Sequence, residues 1–373
     1  MRIGLITTLS TNIGDDFIRE GICAVLQEVF RGQDLEFFPV NKHQPLTVYP
    51  QWHPIHLAQY TGYLPRGKFR LRQFIERVAP KLKQSHFDSC EVIVQCGAPV
   101  LWHGCYRCEW AEPLWHEVIG RVCHRIPVLN LAAGACYPWT RQPTQLTDEQ
   151  DRAYIQKLLA YCRVTTVRDE LAQRLCKALG PEPFLIPCSA FLAAKKQTAS
   201  MPDSGVVLIN YMAGAGHFEW NQGIDASAWF RTVKTLIHHL SRRHKVAFLC
   251  HSEAEFQLAQ ELDFPLPRLW PKTPQEYFNV VSSAKAALCN RLHASVGLAG
   301  MGIPSISVCT DTRLLMVKEL GLPYHFVQDV ESEVLEHELE HLLTSRFREQ
   351  ERLLSLQDET WNRYIEVLTE VLL

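Results

Sequence analysis

The feature that most constrains this chain is the regular exchange of short β-branched or apolar runs with amphipathic stretches of helical period. Strand-like runs cover residues 2–7, 35–40, 91–95, 128–131, 164–167 and 184–186. Between them, helical periodicity covers residues 15–30, 69–83, 110–124, 148–162 and 169–179. That alternation specifies parallel α/β units, with helices on the faces of a sheet. It breaks at a polar, Pro- and Gly-containing stretch, residues 193–205, and then restarts. Strands follow at 206–210, 245–250, 286–289 and 305–308, and helices at 226–243, 254–262, 274–282, from about 294, and near 314–320.

A chain of 373 residues has length for two separate cores. The expected architecture is therefore α/β: two doubly wound, Rossmann-like lobes facing a cleft. Residues 1–192 form the first lobe, on the acceptor side; 193–205 a linker; 206–330 the second lobe, on the donor side; and 331–373 C-terminal helices. A long segment rich in Pro, His and aromatics, residues 41–67, interrupts the first lobe and reads as a lid or binding loop.

Several function classes are excluded at this level. Lys plus Arg number 38 against 40 Asp plus Glu, a net −2, whereas nucleic-acid and anionic-membrane surfaces recruit excess positive charge. A local basic pocket remains compatible with that balance. No run approaches about 18 unbroken apolar residues, so neither a membrane span nor a signal peptide is expected. The 13 cysteines sit mostly in apolar runs such as Val246-Ala247-Phe248-Leu249-Cys250, the pattern of buried thiols in a reducing cytoplasm. Cys105-Tyr106-Arg107-Cys108, near His103, His116, Cys123 and His124, has metal-like spacing but lacks a second matched pair, so no metal is expected.

In doubly wound sheets ligands sit beyond the carboxyl ends of strands, which directs attention to the loops there. The first contains Asn12, Gly14 and Asp15, where glycine permits a tight turn and amides at a helix start can hold an anion or a hydroxyl-rich ligand. Asp15 and Asp16 are candidates for helix capping or for accepting hydrogen bonds from sugar hydroxyls. The loop is not a G-x-G-x-x-G fingerprint, so a nicotinamide cofactor is not indicated. Arg168 ends a buried-looking strand, positioned either to grip a carboxylate or phosphate through two hydrogen bonds or to pair with Asp169 on the surface. Arg291 and His293, two apart on a segment expected to be extended, place a fixed cation beside a titratable imidazole. That combination suits an anionic substrate that must gain a proton. His251, Asp311 and Arg313 also follow strands and are candidates for the same cleft.

Taken in order, Asn12-Ile13-Gly14-Asp15, Arg168-Asp169, His251-Ser252, Arg291-Leu292-His293, Gly302-Ile303-Pro304 and Leu320-Gly321-Leu322-Pro323 resemble the polysaccharide pyruvyl transferases over nearly the whole chain. The resemblance implies a fold like that of the two-lobed GT-B glycosyltransferases. It implies transfer of a pyruvyl group from phosphoenolpyruvate to two hydroxyls of a sugar, forming a cyclic ketal in exopolysaccharide biosynthesis. His293 would be the general acid, with Arg168 and Arg291 on the donor's carboxylate and phosphate, and Asn12, Gly14, Asp15, His251, Asp311 and Arg313 in substrate binding. Phosphoenolpyruvate is then the donor substrate, with no separate cofactor and no metal. The acceptor is a sugar or lipid-linked glycan, the setting cytoplasmic or peripheral at the inner membrane face, and the C-terminal helices pack on the first lobe or on a second subunit.

The chain departs from the family where a glycine run is common: Cys96-Gly97-Ala98-Pro99 cannot offer the same row of flexible amides. Aromatics in the segment 102–110 are a candidate sugar platform or core, and the segment 211–220, which follows a strand, is a candidate to line the cleft from the second lobe. Two other readings stay open, a GT-B-type glycosyltransferase using a nucleotide sugar and a non-catalytic anion- or sugar-binding relative.

Overall fold

The structure, a computed structural model, describes residues 1–9, 12–57, 84–195, 197–216, 218, 220–262 and 264–373. The helix expected over 69–83 and the second half of the 41–67 loop lie outside the described residues. Among the described residues, thirteen strands form two parallel sheets. The first contains β1 (Arg2–Thr7), β2 (Glu36–Asn41), β3 (Val92–Cys96), β4 (Pro99–Leu101), β5 (Val128–Ala135), β6 (Val164–Val167) and β7 (Phe184–Leu185), ordered β2-β1-β3-β5-β6-β7 with β4 against β5. The second contains β8 (Val206–Asn210), β9 (Lys245–Leu249), β10 (Arg268–Leu269), β11 (Ala284–Cys289), β12 (Ser305–Cys309) and β13 (Tyr324–Phe326), ordered β10-β9-β8-β11-β12-β13. Every residue of β3, β5, β11 and β12 is buried, as unbroken apolar strands covered by helices on both faces must be.

The two doubly wound lobes expected from the alternation are thus present. The short strands β4, β10 and β13 were not legible, because two or three residues carry no period-2 signal and pair only once their neighbours are in place. The strand expected over 128–131 continues to Ala135 through an irregularity between Asn130 and Ala133, where Ala132 adopts φ 55°. The helix expected over 110–124 is instead a wide π-type helix, Ala111–Ile119, running into a short α-turn.

Helix α1 (Ile13–Val29) joins the lobes. Its buried stripe includes Phe17, Ile18, Ile22, Val25 and Leu26. Phe17 reaches the second lobe, with its ring centroid 4.7 Å from that of Tyr277 and 5.2 Å from that of Phe278. A second seam forms where Pro138 pairs antiparallel with Asp311. Beside it the Thr312 amide donates to the Tyr137 carbonyl at 3.0 Å and the Tyr137 amide to the Thr312 hydroxyl at 3.0 Å. The remaining helices used below are α2 (Glu149–Tyr161), α3 (Glu170–Lys177), α4 (Ala226–Leu240), α5 (Glu253–Glu261), α6 (Pro274–Val281), α7 (Leu292–Gly300), α8 (Ser332–Thr344) and α9 (Arg346–Leu372). Helix α9 packs back across both lobes: Gln357 donates to the carbonyls of Phe191 at 2.7 Å and Gly300 at 2.8 Å, and the Tyr364 hydroxyl to Pro187 at 3.2 Å. No described helix is long and apolar enough to cross a membrane.

Candidate active site

In the second sheet the strand order reverses between β8 and β11, and the crevice beyond that reversal is where such sheets receive ligands. Two buried asparagines stitch it together. Asn210, ending β8, accepts from the Arg291 amide at 2.7 Å and donates to the Leu249 carbonyl at 2.9 Å and Glu255 at 2.8 Å. Asn290, just past β11, accepts from the Met212 amide at 2.8 Å and the Trp229 indole at 3.2 Å, and donates to the Val308 carbonyl at 2.8 Å. Arg291 then emerges with its Nε donating to the Glu255 carboxylate. Burial alone would lift the Glu255 carboxyl, but Arg291 and the His251 amide, which donates at 2.9 Å, hold it below the usual range.

Arg168 comes from the other lobe, at the end of β6, and is wholly buried. Its Nη1 lies 3.2 Å from His293 Nε2 and 3.7 Å from Cys188 Sγ. Nε and Nη2 have no hydrogen-bond partner among the described residues. A surface pair with Asp169 is not what forms. Asp169 is itself buried and caps α3, accepting from the amides of Ala172 at 2.7 Å and Ala135 at 3.0 Å. Burial outweighs those bonds and pushes its carboxyl up to about 6. Gly134 makes room for the guanidinium, since a Cβ there would lie 2.5 Å from Arg168 Nε.

Arg291 and His293 do not share one extended segment as the spacing suggested. Arg291 is extended (φ −82°, ψ 119°) and precedes α7, whereas His293 already lies in its first turn. They still face one cavity, because the first turn of α7 opens onto it. The imidazole is pushed well below its usual range by burial, reinforced by the cations Arg168, Arg313 and Arg291 and by His251. A neutral His293 accepting from Arg168 follows, with its proton on Nδ1.

The start of α1 meets the start of α7. Asn12 caps α1, accepting from the Gly14 amide at 2.8 Å. Gly14 packs so closely that a Cβ would lie 2.5 Å from His293 Cβ. Asp16 turns away to Arg19, at 2.6 Å. Asp15 faces inward, where burial raises its carboxyl against the pull of Lys42, Arg168 and Arg291. A cavity of about 40 Å³ results, lined by Asn12, Asn290, Arg291, His293 and Arg313 with Met212, Leu292 and Met316. Two helix N-termini and two arginine side chains, Arg291 and Arg313, therefore face it, with Arg168 behind His293, an arrangement that favours an anion with several oxygens.

Arg313 holds Asp311 through two bonds, 2.8 and 2.7 Å, so Asp311 stands behind the arginine and not in the cavity wall. His251 reaches a neighbouring cavity of about 300 Å³ that shares Asn12. Both its ring nitrogens lack partners, and burial lowers its pKa to about 4. The Cys105 thiol donates to Asp151 at 3.2 Å, and burial pushes Cys108 up to about 11. Among the described residues no group of three or more His, Cys, Asp or Glu is placed to hold a metal.

Two residues were missed in sequence. Glu255 looks like an exposed helix residue, and the signal was the Ser252-x-x-Glu255 spacing of a capped helix start: Ser252 caps α5, and the carboxylate turns inward. Lys42 follows an edge strand and reads as surface, yet it is 6% exposed, with its ammonium 4.9 Å from the Trp110 ring centroid.

Two parallel-sheet lobes with a cationic crevice at the ends of their strands define a GT-B-like protein. Solved structures of that architecture align with it. UDP-GlcNAc 2-epimerase from Neisseria meningitidis bound to UDP-GlcNAc aligns over 99% of this chain and 100% of its own, with TM-score 0.56 and 12% identity. The epimerase from Methanocaldococcus jannaschii aligns over 92% and 93%, with TM-score 0.52 and 13% identity. At such identities the likeness is one of fold. No curated protein sequence matches the chain. The family model for polysaccharide pyruvyl transferase matches residues 12–311, and the chain belongs to that family of transferases.

Proposed function

We propose that this protein transfers the pyruvyl group of phosphoenolpyruvate to a pair of hydroxyls on a sugar or lipid-linked glycan, forming a pyruvate ketal. The observation that carries the reading is that Arg291, Arg313 and His293 line one small cavity, with Arg168 against His293 and its Nε and Nη2 without partners among the described residues. A small trianion suits that cavity better than a neutral ring does.

Phosphoenolpyruvate neutralises the cations that hold His293 deprotonated, so the imidazole gains a proton as the donor binds. His293 then protonates the methylene carbon, and a sugar hydroxyl adds to the neighbouring carbon as positive charge develops there. That hydroxyl's proton passes to Asp15, which stands between Lys42 and the two arginines. Phosphate departs with the bridging oxygen, its charge met by Arg168 and Arg291. The second hydroxyl closes the ring. In the balance, the proton that His293 took up ends on the new methyl group, Asp15 returns the first hydroxyl's proton to solvent, and the second hydroxyl's proton leaves on phosphate.

The test is incubation with phosphoenolpyruvate and candidate glycans. Release of one inorganic phosphate per acceptor gaining a ketal supports the reading. Consumption of nucleotide sugars in its place points to glycosyl transfer, and donor binding with no turnover on any acceptor points to a non-catalytic relative.

A further inference from the structure

Next to the small cavity lies a cleft of about 840 Å³, within the range of pockets built for substrates. Its walls come from both lobes. Trp102 and Trp110, with ring centroids 5.8 Å apart, face it from the first lobe, and Phe218 and Trp220, 4.9 Å apart, from the loop after β8. Aromatic walls of this kind stack on sugar rings. The polar side chains among them are Lys42, His103, Cys136, Tyr137, Arg141 and Thr147, and no carboxylate is among the described lining residues.

Two nearby carboxylates are engaged elsewhere, and a third, Asp15, acts on Lys42 from the small cavity's side without an ion pair. Glu109 is held by His43, and Asp151 accepts from the amides of Gly104 at 2.8 Å and Tyr106 at 3.1 Å. The Lys42 ammonium, on a residue only 6% exposed, has no hydrogen bond or ion pair to any described residue and lies 4.9 Å from the Trp110 ring centroid. Its aliphatic stem is sealed in the wall, and the ammonium opens on the cleft. Arg141 uses one N–H on the Trp220 carbonyl, at 2.6 Å, and keeps the rest of its fork. A neutral glycan offers such a wall hydroxyls but no charge, and a largely desolvated ammonium gains most from an anion.

We infer that the acceptor carries its own negative charge, a carboxylate or a phosphate, which Lys42 and Arg141 read while the aromatic walls hold its rings. This rests on the phosphoenolpyruvate reading only for which substrate is called acceptor.

The test compares three glycans that differ only in charge: a neutral disaccharide, its uronate counterpart and its glycosyl phosphate. Phosphate release from phosphoenolpyruvate should show kcat/KM about 10- to 100-fold higher for a charged acceptor, the difference expected of one charge-assisted hydrogen bond. Whichever charged glycan is preferred identifies the source of the charge. In Lys42→Met and in Arg141→Met, the second at an exposed position that the fold does not depend on, the ratio of charged to neutral should fall toward one. Equal rates on all three glycans, or a ratio untouched by both substitutions, would overturn the inference and leave the donor reading intact. Titration of the same glycans without donor, followed by NMR, separates the two ideas. Lys42-dependent binding of the charged glycan with no phosphate release sinks the donor reading and keeps this one.

Discussion

His293 is neutral in the free protein, and a general acid must be protonated, so donor binding has to be linked to proton uptake. The size of that linkage follows from the site. His293 Nε2 is 3.2 Å from Arg168 Nη1, and His293 lines the small cavity in which the proposed donor would place its oxygens. A unit negative charge about 4 Å from the imidazole contributes roughly 4 kcal/mol at an effective dielectric constant of about 20. That is about a thousandfold in the protonation equilibrium for each ligand charge. Two such charges, one from the carboxylate and one from the phosphate, act against the push of burial and the arginines.

The sign is definite. The free-state pKa is depressed and the bound-state pKa is raised, so between the two values each pH unit upward weakens binding about tenfold. Calorimetry near pH 7.5, where a phosphate monoester is almost fully ionised, measures the uptake when repeated in buffers of different ionisation enthalpy. The expected result is about one proton taken up per donor bound, abolished in His293→Gln. Zero uptake, or equal uptake in the variant, would refute the linkage and the role of His293 as acid.

Three further outcomes follow from the same geometry. Arg168→Met should weaken donor binding by about 100-fold or more while leaving the free protein as stable or about 1–3 kcal/mol more so in urea titrations, because it removes two unpartnered buried N–H groups. Gly14→Ala suits a helix interior, but its Cβ would press on His293, so kcat should fall at least about tenfold with the circular dichroism unchanged. His251 has a folded pKa of about 4 against 6.5 for the free residue, so stability is full above about 6.5 and is lost as pH falls toward 4. The loss from this one group is about 3 kcal/mol, and His251→Phe should flatten that part of the stability profile measured in urea at pH 7 and 4.5.

The alternation of strands and helices made both sheets legible, because apolar runs buried on two faces have few other fates. The arginines and the histidine were legible too, since they follow strands whose ends open on a cleft. What failed depended on side-chain direction. Asp311 sits two residues from Arg313 in sequence, and only the tight turn after β12 shows that it backs the arginine and does not face the ligand. Lys42 is one residue past an edge strand, and its burial depends on Trp110, which lies almost seventy positions away. The departure at Gly97-Ala98-Pro99 also gained a physical form. Ala98 has φ 73°, a conformation natural to glycine, and the chain holds that turn with a residue that disfavours it.

The most direct test of the central claim is the fate of the donor's methylene carbon. With phosphoenolpyruvate and an acceptor in deuterium oxide, the account predicts a ketal whose methyl group carries one solvent deuterium. It also predicts that product formation fails in His293→Gln. A transferred group free of deuterium, or a product formed from a nucleotide sugar with phosphoenolpyruvate untouched, would contradict it.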